Sequence, residues 1–186
     1  MLLNRMMRAA RLDVALFEEV EADREATSQA ATVVAIVAAC NGVGAALSAA
    51  MGGHALQAVA MLFGVVIATM IGWVIWAYIT YWIGTKMFSG TATPGEMLRC
   101  LGFAQTPGVL GVLSFIPCLG GVIAFGASIW ALVAAVIAIR QALDFDTGKA
   151  IMTAIVGWFV LFMIYCTIAA FFGVGSLALG ALTGGR

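Results

Sequence analysis

Charge is scarce in this sequence. Only 10% of its 186 residues are charged, nine basic and nine acidic, while 63% are hydrophobic. A soluble domain has about 25% charged and about 45–50% apolar residues. So few charges cannot cover the surface of a soluble fold of this length. Histidine is scarcer still: with His54 alone, no histidine-based metal cluster can form. The four cysteines, Cys40, Cys100, Cys118 and Cys166, contain no Cys-x-x-Cys pair and read as small buried hydrophobes rather than as zinc ligands or a disulfide framework. A formal net charge of zero removes any global attraction to nucleic acid.

Catalytic patterns are missing too. There is no phosphate-binding glycine loop, no Gly-x-Ser-x-Gly elbow, no His-Glu-x-x-His helix and no pair of membrane-facing carboxylates. The apolar runs hold no ionisable side chain of the kind that pumps and proton-coupled transporters place in the membrane. The expectation is a protein that is not an enzyme and needs no cofactor or metal. The N-terminal stretch stays charged as far as Glu25 and does not read as a cleavable signal peptide.

What the sequence does contain is long apolar runs. From Ala26 to Thr85 no Asp, Glu, Lys or Arg occurs, far more than the ~20 apolar residues of one crossing. Met51-Gly-Gly-His-Ala55 divides this run into spans near Thr32 to Met51 and Leu56 to Gly84. A second charge-free run lies between Arg99 and Arg140. Pro117-Cys-Leu-Gly-Gly121 divides it into a hairpin, about Leu101 to Ile116 and Val122 to Ile139. As α-helices these arms reach only roughly 24–27 Å against a hydrocarbon core of ~30 Å, so both a spanning and a re-entrant hairpin stay open. The last run, Ala150 to Gly185, holds a fifth span that Gly173-Val-Gly175 is expected to end or bend. The predicted fold is an all-α membrane protein of about five transmembrane helices, the third and fourth forming this short hairpin, preceded by an amphipathic N-terminal helix.

Loops of such a chain alternate sides. One side receives Arg5, Arg8, Arg11, Arg24, Lys86, Arg99, Arg140 and Lys149, and the other only Arg186. Basic residues mark the cytoplasmic face, so the N-terminus is expected inside and the C-terminus outside, with Tyr78, Tyr81 and Trp82 at the inner interface and Trp73 and Trp76 deeper, in packing. Two domains follow: residues 1–29 as a cytoplasmic arm and 30–186 as the membrane domain. Leu3, Met7, Ala10, Val14 and Phe17 recur at helical spacing, so the arm can lie in the interface. It reads as a lead-in helix or as a docking arm for a partner with a basic patch. Small residues at four-residue spacing, Gly44/Ser48/Gly52, Gly64/Ala68/Gly72 and Ala127/Ala131/Ala135, allow close helix packing, within the chain or in a homo-oligomer.

The segment from Gly90 to Gly108 carries the candidate site. Thr93 can cap a helix begun by Pro94, with Glu96 in its first turn. Arg99 can snorkel to phosphate headgroups or a neighbouring loop. Pro107 then interrupts the helix and frees a carbonyl that Gln105, Thr106 or a bound group can serve. Arg140 and Lys149 return to the same side. Thr93, Glu96, Arg99, Gln105, Pro107, Arg140 and Lys149 are therefore the candidate partner- or lipid-binding residues, for anionic headgroups or for a membrane or cytoplasmic protein.

In their order, Thr93-Pro-Gly-Glu-Met-Leu-Arg99, Gly102-Phe-Ala-Gln-Thr-Pro107, the hairpin, Trp130 and the run from Arg140 to Ala150 resemble the Yip (Ypt-interacting protein) domain family. The likeness runs from about Phe17 to Phe172. It implies five helices and a cytoplasmic N-terminus, and it transfers no catalytic residues. Eukaryotic members act in Golgi and endoplasmic-reticulum trafficking and contact Rab GTPases. Those members carry a long hydrophilic N-terminal region where this sequence has only Met1 to Gln29, which points to a prokaryotic member in the cytoplasmic membrane. The expected role is a membrane-organising or partner-binding scaffold. The alternatives are a small permeation or lipid-handling protein and an accessory subunit of a larger membrane complex.

Overall fold

The computed structural model describes residues 2–182. Its elements are α1 Leu2–Ala10, α2 Val14–Ala22, α3 Ala26–Met51, α4 Ala55–Met87, α5 Pro94–Ala104, a 3-10 segment Thr106–Phe115, α6 Leu119–Ala142 and α7 Thr147–Leu182. Four helices contain stretches long and apolar enough to cross a membrane, Ala26–Met51, Gln57–Met87, Leu119–Ala142 and Thr147–Ile164, and Thr106–Phe115 is a shorter apolar helix. Apolar residues surround each long helix, as expected where lipid is the solvent. The outward side of α4 leaves Phe63, Ile67 and Trp82 exposed.

The turn between α3 and α4 falls at the expected glycines. Gly53 has φ +81°, a left-handed conformation that glycine adopts without a Cβ clash. α3 and α4 then run antiparallel and close, with the carbonyl of Leu62 2.8 Å from where a Cβ on Gly42 would lie.

The third segment departs from the expected helix over Leu101 to Ile116. α5 ends at Ala104, and the chain continues as a 3-10 helix from Thr106 to Phe115. Pro107 supplies no N–H and cannot continue the α-helical ladder. The Phe103 carbonyl that the missing N–H leaves free accepts from Thr106 Oγ1 at 2.6 Å, as expected, and from α3 Asn41 Nδ2 donates to the carbonyl of Gly108 at 3.3 Å. Only glycine fits at 111, since a Cβ there would lie 1.7 Å from Asn41 Oδ1. The 3-10 geometry adds only about 5 Å over ten residues, and the earlier start of α5 at Pro94 adds the rest of the reach. Eleven residues of α5 and ten of the 3-10 segment extend about 36 Å together, at ~1.5 and ~2.0 Å per residue, against a core of ~30 Å.

α7 departs from expectation at its far end. Instead of ending at Gly173-Val-Gly175, it continues to Leu182. Glycine lowers helix propensity, but in hydrocarbon an unpaired backbone costs more, so the ladder is kept. Arg186, the one basic residue assigned to the outer side, lies outside the described residues.

The arm folds as two helices rather than one. Leu12, with φ 60°, reverses the chain between them, and Asp13 Oδ1 caps α2 by accepting from Ala15 N at 3.1 Å. Leu16, Phe17 and Val20 are fully buried in one core with Met97, Phe103 and Ile139. Burying each such side chain is worth about 1.5–3 kcal/mol relative to leaving it in water. On α1, Met6 and Ala9 turn inward while Leu3 and Met7 remain exposed. The small-residue faces also divide: Gly44 meets the Gly111 carbonyl and Ser114, whereas Gly64 has open space around it.

Candidate functional site: the charged end and the broken helix

Every described Asp, Glu, Lys and Arg lies at one end of the bundle, where α3 begins, α4 ends, α5 begins, α6 ends and α7 begins. This end is built around the arm. The C-terminal carbonyls of a helix have no partner within it and form the negative pole of its dipole. Each arm helix meets a donor from the membrane bundle at that pole. Trp130 Nε1, on α6, donates to the Ala10 carbonyl of α1 at 2.9 Å. Arg99, on α5, donates through Nε to the Val20 carbonyl at 2.8 Å and through Nη2 to the Glu21 carbonyl. A third donor group, Nη1, reaches Thr27 Oγ1 at 3.4 Å. Arg99 is therefore only 6% exposed and faces the C-terminal end of α2.

Ion pairs lock α1 to α2. Arg5 contacts Glu19 at 2.8 Å and Asp23 at 2.9 Å, and Arg8 contacts Asp13 at 2.7 Å and Glu19 at 2.5 Å. Hydrogen bonds from Arg8 and then Arg5 hold the Glu19 carboxyl below the usual carboxylate range. Arg8 does the same for Asp13, and Arg5 for Asp23. Glu21 moves the other way: burial raises its pKa, and the charges of Glu96 and Asp144 raise it further.

The seven sequence-predicted residues fall into four places. Thr93 and Glu96 form a capping box at the start of α5, Thr93 N donating to Glu96 Oε2 at 2.7 Å and Glu96 N to Thr93 Oγ1 at 3.4 Å. Arg99 sits beneath the arm. Arg140 and Lys149 flank the turn between α6 and α7. Arg140 Nε donates to Gln141 Oε1 at 3.0 Å, and Gln141 passes the contact on to Glu18 at 2.7 Å. Lys149 is exposed, its Nζ 5.7 Å from the centroid of the Phe145 ring. The loop before α5 is tied to this turn by Thr91 Oγ1, which donates to Asp144 Oδ2 at 2.7 Å. Gln105 and Pro107 lie deeper, at the break between α5 and the 3-10 segment.

The arrangement of broken helix, hairpin and arm covers most of the chain, and so does the family match. A Yip1 domain is matched over residues 14–182. The chain belongs to the Yip1 domain family. No curated protein and no solved structure gives a match. As a Yip1 domain the chain is a multi-pass membrane protein, and the matched residues include α2 as well as the long helices.

Sequence reasoning missed three features of this Yip1 domain. It did not foresee the carbonyl-binding roles of Arg99 and Trp130, the charges of Glu96 and Asp144 acting on Glu21, or the contact of Asn41 with the broken helix. A general signal existed for the first: an arginine inside an otherwise apolar stretch requires acceptors, and helix ends offer them.

Proposed function

We propose that this Yip1 domain is a non-enzymatic scaffold whose charged end faces the cytoplasm and engages a protein partner through a basic patch on that partner. The carrying observation is the division of the acidic groups. Asp13, Glu19 and Asp23 hold ion pairs within the arm, whereas Glu21, Glu96 and Asp144 have none among the described residues and lie close enough for Glu21 to respond to both neighbours. Complementary charge of this kind speeds and orients association. Of the candidate basic residues, Arg140 and Lys149, on the same end, are left to meet anionic headgroups once Arg99 is committed to α2. The positive-inside count supports the orientation, and a prokaryotic cytoplasmic membrane is the proposed location.

The rival reading is a permeation or lipid-handling protein working through the helix break at Gln105 and Pro107. Cross-linking in native membranes, followed by identification of the captured protein, tests the scaffold. The triple change Glu21→Gln, Glu96→Gln and Asp144→Asn is expected to reduce capture at least tenfold, with purified wild type in liposomes showing neither ion flux nor lipid flip-flop. Undiminished capture, or flux from the wild type, rejects the scaffold reading.

A further inference from the structure

The break after α5 leaves a cavity of about 400 Å³. Its walls come from α4 through α7 and are almost wholly apolar, with Trp76, Phe125, Ile129, Leu132 and Trp158 contributing most of the bulk. Gln105 is the exception. Its carboxamide has two N–H donors and an acceptor oxygen and makes no side-chain hydrogen bond among the described residues. The same side chain borders a second cavity of about 220 Å³, reached past Ser128 and Ala131 and lined by Asn41 and Gly108. The Ser128 hydroxyl is already occupied, donating to the Phe125 carbonyl at 2.7 Å. On the α4 wall, the indole N–H of Trp76 is buried without a partner.

Three physical points identify what this cavity takes. No Lys, Arg, Asp or Glu lines it, so a charged headgroup has no counter-ion there and would meet a large desolvation cost. Phe125, Ile129, Leu132 and Trp158 are exposed, and in a membrane protein such apolar side chains face lipid tails, so the cavity opens sideways into the bilayer. Its volume lies within the ~300–1,000 Å³ of small-ligand pockets, and an apolar void of this kind stays free of water. We propose that it binds one acyl chain of a bilayer lipid, with a carbonyl oxygen of that lipid accepting from the Gln105 carboxamide. The polar group at the helix break then has a partner that hydrocarbon alone cannot provide. This goes beyond the scaffold reading and does not depend on it.

Photolabelling of the full chain tests the proposal. Reconstituted protein receives a trace of phospholipid with a diazirine on its acyl chain, and adducts are mapped by mass spectrometry after illumination. Adducts are expected to concentrate on residues 125–132 of α6 over Ile71 and Val74 on the exposed side of α4. Ala131→Phe, which fills the space between the two cavities, should lower the α6 adducts at least fivefold and leave those at Ile71 and Val74 unchanged. Gln105→Leu keeps the bulk and removes the donors. It should lower α6 labelling about fivefold, the equivalent of one hydrogen bond of ~1 kcal/mol. Equal labelling of the two surfaces, or α6 adducts unaffected by Gln105→Leu, overturns the proposal, and the second result does so even if Ala131→Phe fails to fold.

Discussion

Arg99 on α5 and Val20 on α2 stand 79 positions apart in sequence and meet at 2.8 Å, guanidinium to carbonyl. Arg99 also serves the adjacent Glu21 carbonyl, so one buried side chain satisfies two orphan acceptors at a helix end. The arm is thereby part of the membrane bundle's own packing, joined to it by a polar contact as well as by Leu16, Phe17 and Val20.

Replacing Arg99 with methionine should release the arm. A hydrogen bond to a charged group is worth about 1.5–3 kcal/mol, so arm opening should be favoured by at least about 2 kcal/mol, close to thirtyfold. Trypsin cleavage at the exposed Arg24 in proteoliposomes is the readout. Arg99→Lys should give an intermediate rate, because an ammonium lacks the planar fork of donors. A cleavage rate unchanged in Arg99→Met would show that the apolar contacts alone hold α2.

Acid should loosen α1. The carboxyls of Asp13, Glu19 and Asp23 have lowered pKa values in the folded arm. Their contribution is present above the ordinary carboxylate range of about 3.9–4.3 and is lost as pH falls through the lowered values. These groups are 31–40% exposed, and solvent screening keeps the effect small. Nitroxide labels on Asn4→Cys and Lys86→Cys, in a background without the native cysteines, should report one narrow distance from pH 8 to about 5 and broadening below about 4. Broadening at neutral pH would contradict the ion-pair lock. Glu21 has the opposite sign: its raised pKa makes the charged form unfavourable in the fold, so Glu21→Gln should not weaken the arm at pH 7.

The hairpin tip should reach the far side. With about 36 Å of path before it, at the rises of the two helix types, the third segment can cross fully. Cys118, exposed at the tip, is expected to react with a membrane-impermeant maleimide added outside, as readily as a His54→Cys control. The buried Cys100 should stay unreacted until the protein is denatured. Resistance of Cys118 in sealed vesicles would establish a re-entrant hairpin.

Gly111→Ala should destabilise the broken helix. Its new methyl would overlap Asn41 Oδ1, and overpacking of this kind costs typically 1–3 kcal/mol. The thermal midpoint in detergent should fall by several degrees. Adding Asn41→Ala should recover part of the loss, while Asn41→Ala alone costs about 1 kcal/mol for the contact to the Gly108 carbonyl. Strict additivity of the two changes would show that the residues are not coupled.

The helix break was half legible. Pro107 marked where the α-helical ladder must fail, because a missing N–H is a property of the residue itself. That the chain continues as a 3-10 helix, and so gains length, depended on Asn41 of α3 standing opposite Gly108 and Gly111. Arg99 was legible as a charge at the membrane entry that reaches headgroups or a neighbouring loop, but its burial and its partner were not. Nothing local to the residue shows that α2 folds back and presents its carbonyls.

The sequence by itself determined that this protein lives in lipid, roughly which stretches form its long helices, and that its charges gather at one end. Transfer of side chains from water to hydrocarbon is a local property, summed along the chain with no knowledge of neighbours. Only the tertiary structure decided which face of each helix turns inward. The long helices are apolar all round and lipid tails are as apolar as leucine, so hydropathy cannot say which side packs. The donors of Arg99 and Trp130, the contact of Asn41 with the broken helix and the cavity beside Gln105 arise where helices meet, and geometry there selects the partner.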